Sequence, residues 1–268
     1  MLVPEPKQSP VAARHSDITM MDDAPVRADL LLVRLGLAAS RERARAMIVG
    51  GHVSVDGVLM TRPARRLAVA ANVTVNTPDM IWVSRAALKL LGGLDAFPQI
   101  NPSGLHCVDI GASTGGFTEV LLSRGAAHVV AVDVGHGQIH PRLADDPRVE
   151  SREGVNARSL TSDDLTTSPE LIVCDASFIS LTKVLPAVMH LATPGAGLLA
   201  LIKPQFEVGR AAIGKGGVVR DAQAVRDAVA MVENWLAAEM GWQLIGTAPS
   251  PIDGQDGNRE FLLAGRKV

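Results

Sequence analysis

From about residue 104 onward, short apolar runs alternate with segments whose apolar residues recur at helical spacing. The runs are CVDIG, HVVAVDVG, LIVCDA, GLLALIKP, WQLIGTAPS and EFLLAGRKV. Between them FTEVLLSRG, SLTKVLPAVMHLA and DAQAVRDAVAMVENWLAAEMG read as helices, and RAALKLLGGLDAFP, just upstream, as a short helix carrying Lys89. Strand and helix in alternation predict an α/β domain, a mostly parallel sheet covered on both faces. The chain before it has another pattern. Asp29 is placed to cap a helix containing Leu30, Leu31 and Leu35 and ended by Gly36. Ser40 then caps a second helix, RERARAMIVGG, closed by Gly50 and Gly51, and HVSVDGVLM alternates around Asp56-Gly57, the signal of a tight hairpin. The first 25 residues, rich in Pro, Asp and Ser without periodicity, predict a disordered tail. The expected divisions are a tail over 1–25, a small α+β module over 26–77, a linker over 78–84 marked by Pro78, and an α/β domain over 85–268.

Composition adds three points. With 47% of 268 residues hydrophobic the chain can fill a core, yet no run of about 18 apolar residues is free of charge, and the N-terminus lacks the apolar stretch of a signal peptide. A cytoplasmic protein is therefore expected, with no stable membrane association. Cys107 and Cys174 sit inside apolar runs and read as inert buried thiols. The net charge of −2 hides an asymmetry, because Arg27 to Lys89 holds ten basic residues against four acidic ones. A basic module on an acidic body fits a polyanion held at one end.

VDIGASTGGFTEVLL, residues 108–122, carries the first chemical signal. Ligands of open parallel sheets sit beyond the carboxyl ends of the strands, where the loop GASTGG falls. Its glycines allow close approach of the backbone, and a helix N-terminus follows. The spacing Gly111, Gly115, Gly116 is not G-x-G-x-x-G, and Phe117 stands where a phosphate-binding loop has lysine, so dinucleotides and ATP are demoted. Asp109 in the first strand and Asp133 at the end of the second suit an adenosyl ligand whose ribose hydroxyls an acid can accept. S-adenosylmethionine fits better than a dinucleotide, and a strand-to-helix turn with no ligand is the plain alternative.

Further polar residues end or begin apolar strands: Asp175 in CDASFISL, Lys203 in LIKPQFEVG and Glu260 in DGNREFLL. Charges converging on one sheet edge are costly unless paired. With Lys89 they form a candidate site, structural ion pairing being the alternative for any one of them. His136 and His140 have metal-ligand spacing on a helix, but no carboxylate pattern accompanies them and no metal is expected. GKGGVVRD reads as a substrate-side loop offering Lys215 and Arg220 to phosphate, or as a plain connection.

SRERARAMIVGGHVSVDG resembles the small RNA-binding domain named for ribosomal protein S4. The phrases WVSRAALKL, DIGASTGGFTEVLL, AVDVGHGQ, NARSL, DASFISL, KPQFEVG, GKGGVVRD and SPIDGQDGNREFLL, in this order, resemble the TlyA family of ribosomal RNA 2′-O-methyltransferases, formerly called haemolysins, whose catalytic domain is related to the FtsJ group. The resemblance implies a Rossmann-like methyltransferase fold, with a mostly parallel seven-stranded sheet whose last strand is antiparallel. It implies S-adenosylmethionine as cofactor, ribosomal RNA or ribosomal subunits as partner, and cytidine 2′-O-methylation as the reaction. A Lys-Asp-Lys-Glu set carries over as Lys89, Asp175, Lys203 and Glu260. Lys203 is expected to be the base and Asp175 its orienting partner, with Lys89 and Glu260 positioning groups. A lysine of ordinary pKa about 10.4 must be pushed down by burial or neighbouring charge to serve. The cofactor is expected along Asp109, Gly111, Ser113, Thr114, Gly115 and Gly116, with Phe117, Asp133, Val134, Asn156 and Asp175. RNA is expected on Arg34, Arg41, Arg43, Arg45, Arg65, Arg66 and Arg85, guanidiniums that give affinity and register more than sequence reading. The chain departs from the family at Ala86 and Leu88, where a Gly and a His are usual. The rival readings are a base-nitrogen methyltransferase, for which DASF is the wrong motif, a membrane-active haemolysin, and a non-catalytic assembly factor.

Overall fold

A computed structural model describes residues 25–38, 41–49, 51–75, 82–209, 212–214, 216–254 and 256–268. Almost all of the expected tail, the Ser40 cap, Gly50, Pro78 and Lys215 lie outside the described residues, as does the side chain of Arg43. The chain divides into two compact units, residues 1–81 and 82–268.

In the first unit β1 (Val26–Arg27) leads into α1 (Ala28–Arg34), followed by α2 (Arg41–Val49), β2 (Val53–Val55), β3 (Val58–Leu59), β4 (Arg66–Leu67) and β5 (Val73–Val75). β1 pairs with β4, and the other three form an antiparallel sheet in the order β3-β2-β5. Asp56 and Gly57 both take positive φ, 50° and 79°, as the tightest two-residue hairpin turn requires. Leu31, Leu32, Ile48 and Met60 are fully buried between the helices and the sheet.

Asp29 does not cap α1. It lies inside the first turn, closed off from solvent, because the backbone N–H groups of Ala28 and Asp29 are already taken by the carbonyls of Arg65 and Pro63. Arg27 grips the carboxylate with two bonds of 3.0 and 2.9 Å, and Arg41 adds a third at 3.3 Å. The Arg27 guanidinium holds the Asp29 carboxyl down to about 2, against an ordinary 3.8. This contribution to stability is therefore complete above pH 3.8 and is lost as pH falls toward 2. Asp29→Asn is expected to destabilise this unit by about 1–3 kcal/mol. Hydrogen exchange along α1 should speed up at neutral pH in the variant, and its protection should lose the wild type's dependence on pH below about 4.

The second unit is built on a seven-stranded sheet. Its strands are β6 (His106–Ile110), β7 (His128–Asp133), β8 (Val149–Glu153), β9 (Leu171–Cys174), β10 (Gly197–Ile202), β11 (Trp242–Pro249) and β12 (Phe261–Lys267), in the order β11-β12-β10-β9-β6-β7-β8. The last strand, β12, runs antiparallel to both its neighbours, while the pairs from β10 to β8 are parallel. The carboxyl ends of β6, β7, β9 and β10 thus share one edge, and the reversed β12 begins there. β8, VESRE, is an edge strand too polar to stand out as an apolar run.

Two helical layers cover the faces. α3 (Ala86–Ala96) and α4 (Gly116–Ser123) bury Leu90, Phe117 and Leu121 against Val129 and Leu199. On the other face α6 (Leu181–Val184), α7 (Pro186–Leu191) and α9 (Ala222–Asn234) pack around Ile172, Leu198 and Trp235. The single helix expected over SLTKVLPAVMHLA is two, because Pro186 has no N–H to continue the ladder. α9 runs on into a wider turn over Trp235–Glu239. Short α5 (Pro141–Ala144) and α8 (Pro204–Glu207) follow β7 and β10. Cys107 and Cys174 are free and buried, and burial pushes both thiols up to about 12.

α3 lies close on the sheet through a glycine pair. A Cβ at Gly93 would sit 2.8 Å from Leu199 Cδ2, and one at Gly92 2.7 Å from Pro251 Cγ. At the far end of β12, Lys267 Nζ donates to the carbonyls of Met189, His190 and Ala192 at 2.7–3.1 Å, satisfying the exposed C-terminus of α7.

Candidate active site

Lys89, Asp175, Lys203 and Glu260 meet at the edge where the parallel strands end. Asp175 directly follows β9, Lys203 directly follows β10, and Glu260 directly precedes β12. Ile202 pairs with Phe261 across the β10–β12 ladder, so the register brings Lys203 and Glu260 to the same level. Lys89 reaches the group from α3. Its Nζ is 2.6 Å from Glu260 Oε2 and 3.8 Å from Asp175 Oδ2. Lys203 Nζ is 2.7 Å from Asp175 Oδ1 and also donates to Ser177 Oγ at 2.7 Å and to the Asp175 carbonyl at 3.2 Å. The result is a line of alternating charge, Glu260, Lys89, Asp175, Lys203, with every side chain at most 13% exposed.

The loop after β6 is shaped by the left-handed backbone of Gly111, Ser113 and Gly115, at φ 80°, 48° and 94°. A Cβ at Gly111 would come within 2.9 Å of the Ala176 Cα, so bare backbone there lets two strand-end loops touch. At Gly115 the same space is filled by Leu143 and Ile139, and at Gly116 by Ser84 and Ala86. These glycines serve packing between elements as well as any approach to a ligand. Ser113 and Thr114 are exposed. The Asp133 carboxylate accepts the Ser113 N–H at 2.8 Å and the Gly135 N–H at 2.7 Å, joining this loop to the end of β7. Val134 beside it is 68% exposed, and Asn156 lies exposed after β8.

Two expected cofactor residues point elsewhere. Phe117 is 2% exposed and packs in the core beneath α4. Asp109 is wholly buried, its Oδ2 accepting the Thr118 N–H at 2.9 Å and the Thr118 hydroxyl at 2.7 Å, which ties β6 to the first turn of α4. Burial pushes its carboxyl up to about 7 against the pull of Thr118, and Oδ1 has no hydrogen-bond partner. His136 and His140 fall in the loop before α5 rather than on a helix, with His140 Nδ1 accepting the Arg142 N–H at 3.3 Å. Among the described residues no group of three or more His, Cys, Asp or Glu side chains is arranged to hold a metal.

Of the arginines, Arg34, Arg45, Arg65 and Arg66 are exposed on the first unit, and Arg85 is exposed at the start of α3. Arg41, also exposed, is partly committed to Asp29. Arg220 is exposed in the glycine-rich loop.

Sequence reasoning passed over several residues that hold this site. Glu153 accepts the N–H groups of Gly137, Gln138 and Ile139, which lowers its own pKa and fixes the loop after β7. Glu207 accepts the Ser180 hydroxyl at 2.6 Å and the Leu181 N–H at 2.8 Å, clamping the loop after β9 to α8, and burial pushes its carboxyl up. Asn258, 2% exposed, accepts the Val219 N–H and donates to the Gly217 carbonyl, both at 3.0 Å, hooking the glycine-rich loop to the segment that carries Glu260.

The FtsJ-like methyltransferase family model matches residues 82–267, and the S4 domain model matches residues 26–76. The chain is 48% identical over 239 residues to the 16S/23S rRNA (cytidine-2′-O)-methyltransferase TlyA of Mycobacterium tuberculosis, covering 88% of each. It is 38% identical to Hemolysin A of Brachyspira hyodysenteriae over 85% of this chain and 94% of that one. A solved structure from Streptococcus thermophilus that carries the hemolysin name superposes with a TM-score of 0.73 at 36% identity, over 92% of this chain and 90% of that one.

The contact at Gly111 gives a matched pair of substitutions. Gly111→Ala sets a methyl against main-chain atoms at 2.9–3.0 Å, whereas Gly137→Ala, also at positive φ, meets nothing within 4 Å. We expect the first to lower stability by more than about 2 kcal/mol and the second by about 1 kcal/mol, read as the difference in thermal unfolding.

Proposed function

The chain belongs to the FtsJ-like methyltransferase family and, at 48% identity over 88% of both chains, to the TlyA branch of it; from that premise we propose that it methylates the ribose 2′-hydroxyl of cytidine in ribosomal RNA. The observation that carries this reading is the alternating line of Glu260, Lys89, Asp175 and Lys203 at the sheet edge. S-adenosylmethionine supplies an electrophilic methyl carbon on a sulfonium. Asp133, Ser113, Thr114, Val134 and Asn156 fit that group: a carboxylate able to accept ribose hydroxyls, small polar loop residues, and an exposed apolar side chain for the face of a base. Asp175 stands between this side of the edge and the lysines.

Lys203 is the base in this reading. Its Nζ would first give up its ammonium proton; the neutral amine would then take the proton of the 2′-hydroxyl and later release it to solvent, while the oxygen bonds the methyl carbon as that carbon's bond to sulfur breaks and S-adenosylhomocysteine leaves. Asp175 and Ser177 fix the direction of that Nζ, and Lys89, held by Glu260, keeps Asp175 from being monopolised by one partner. The exposed arginines of the first unit supply phosphate contacts suited to folded RNA. Ribosomal subunits in the cytoplasm are the natural setting. Among the described residues no helix is long and apolar enough to cross a membrane.

Labelled methyl transfer to purified ribosomal subunits, with mapping of the product, tests the reaction. Wild type should label a ribose 2′-oxygen, and Lys203→Ala should lower the rate by about 10²–10⁴-fold while cofactor binding persists. Wild-type rate in that variant would remove Lys203 as base. Separately, Arg45→Ala and Arg65→Ala should each weaken RNA binding without changing its sequence preference. Each should also reduce the slope of log affinity against log salt by about 1, measured by filter binding across a salt series.

A further inference from the structure

β7 and β8 end side by side on two carboxylates. Asp133 and Glu153 are register partners across this parallel pair, each the last residue of its strand. Like charges on adjacent strand ends repel, and each needs donors of its own. The backbone supplies them. Asp133 accepts the Gly135 N–H on Oδ1 at 2.7 Å and the Ser113 N–H on Oδ2 at 2.8 Å. Glu153 accepts the N–H groups of Gln138 and Ile139 on Oε1 at 2.7 and 3.0 Å, and that of Gly137 on Oε2 at 2.6 Å. These bonds lower the pKa of the Glu153 carboxyl, which is therefore charged at neutral pH.

The division leaves the two carboxylates with different capacity. An ionised carboxylate offers about four lone-pair positions. Glu153 spends most of its own on the loop, whereas Asp133 keeps about one on each oxygen, the number that two neighbouring ribose hydroxyls require. The donors on Glu153 belong to the segment that directly follows Asp133. That segment turns back so tightly that a Cβ at Gly135 would lie 1.9 Å from Gln138 Nε2 and 3.1 Å from Asp133 Oδ1. It is stitched to the chain after β8 by the Gly154 N–H to the Gly135 carbonyl at 2.9 Å and the Val155 N–H to the Asp133 carbonyl at 3.0 Å. Without Glu153, the Gly137, Gln138 and Ile139 N–H groups would be released beside the other carboxylate, where they compete with a ligand for it.

We propose that Glu153 is a positioning residue for the cofactor: by holding the N–H groups of Gly137, Gln138 and Ile139 it fixes the loop after β7 and keeps Asp133 open to the ribose hydroxyls of S-adenosylmethionine. Glu153 touches no part of the ligand and acts through Asp133. This rests on the reading of Asp133 as the ribose acceptor and names what keeps that acceptor available.

The test is calorimetric binding to the full chain of S-adenosylhomocysteine, which lacks the sulfonium charge, and of its 2′-deoxy analogue, with thermal unfolding alongside. Glu153→Gln should weaken binding of S-adenosylhomocysteine by about ten-fold, the worth of one hydrogen bond to a charged group. It should weaken the 2′-deoxy analogue by less, so that the wild type's preference for the hydroxyl shrinks. Asp133→Asn should abolish that preference, and Asp133→Asn with Glu153→Gln should bind no worse than Asp133→Asn alone. At saturating cofactor the KM for ribosomal subunits should stay within a few-fold of wild type. Glu153→Asp, which keeps the charge with a shorter reach, should fall between wild type and Gln, and it carries the same comparison if Gln melts too low to bind. A hydroxyl preference unchanged in the Glu153 variants, or losses that multiply in the double variant, overturns the positioning role and leaves the cofactor reading intact. Failure of the wild type to bind S-adenosylmethionine or S-adenosylhomocysteine overturns that reading and the positioning role with it.

Discussion

Two carboxylates and two ammonium groups, almost closed off from water, can share one corner of a protein only if they alternate. Each of Lys89 and Asp175 has an opposite charge on either side, and the four sum to zero. Taking any of these ions out of water alone would cost several kcal/mol; in sequence, each desolvation is offset by its neighbours. That condition reaches far into the fold. It needs the ends of β9 and β10, the start of β12 and the first turn of α3 brought to one point. The ladder does this for three of the four charges, through parallel pairing of β9 with β10 and antiparallel pairing of β10 with β12.

Around that neutral line the loops carry the strain. Ser113 and Phe178 are non-glycine residues in the left-handed region, and both lie in loops leaving the carboxyl edge of the sheet. Each is held by a carboxylate that is itself outside the charged line: Asp133 receives the Ser113 N–H, and Glu207 receives the segment after Phe178. Exposed loops held in uncommon conformations by dedicated acceptors are preorganised, and little ordering remains to be done when a ligand arrives.

Much of this was legible in the sequence because it follows from period and punctuation. Apolar runs ending in Asp, Lys or Gly located β6, β7, β9 and β10 and the residues at their tips. Other features had no such signature. β8 is polar at an edge with one neighbour, so burial left little mark on it. Asp29 has the look of a helix cap, yet Arg27 two residues before it and Arg41 from α2 claim its carboxylate. Asn258, Glu207 and Thr118 act through partners distant in the chain, and nothing in local spacing encodes a hydrogen bond across the fold. Phe117 and Asp109 stand within a ligand-like motif but face inward, since a motif names a loop, while the pleat of β6 and the inner face of α4 decide which side chains are shown.

The glycine pair in α3 sets a distance. Lys89 is the one member of the charged line that no strand carries, and its height above the sheet edge depends on how closely α3 lies on Leu199 and Pro251. Two hydrogens in place of two methyl groups thus act as a shim. A helix raised by the thickness of a methyl would carry its ammonium away from Glu260 and Asp175 together, leaving the sheet-borne charges with an excess of negative sign. The electrical neutrality of the site is in this sense a property of helix spacing, set about a turn along α3 from the ammonium it places.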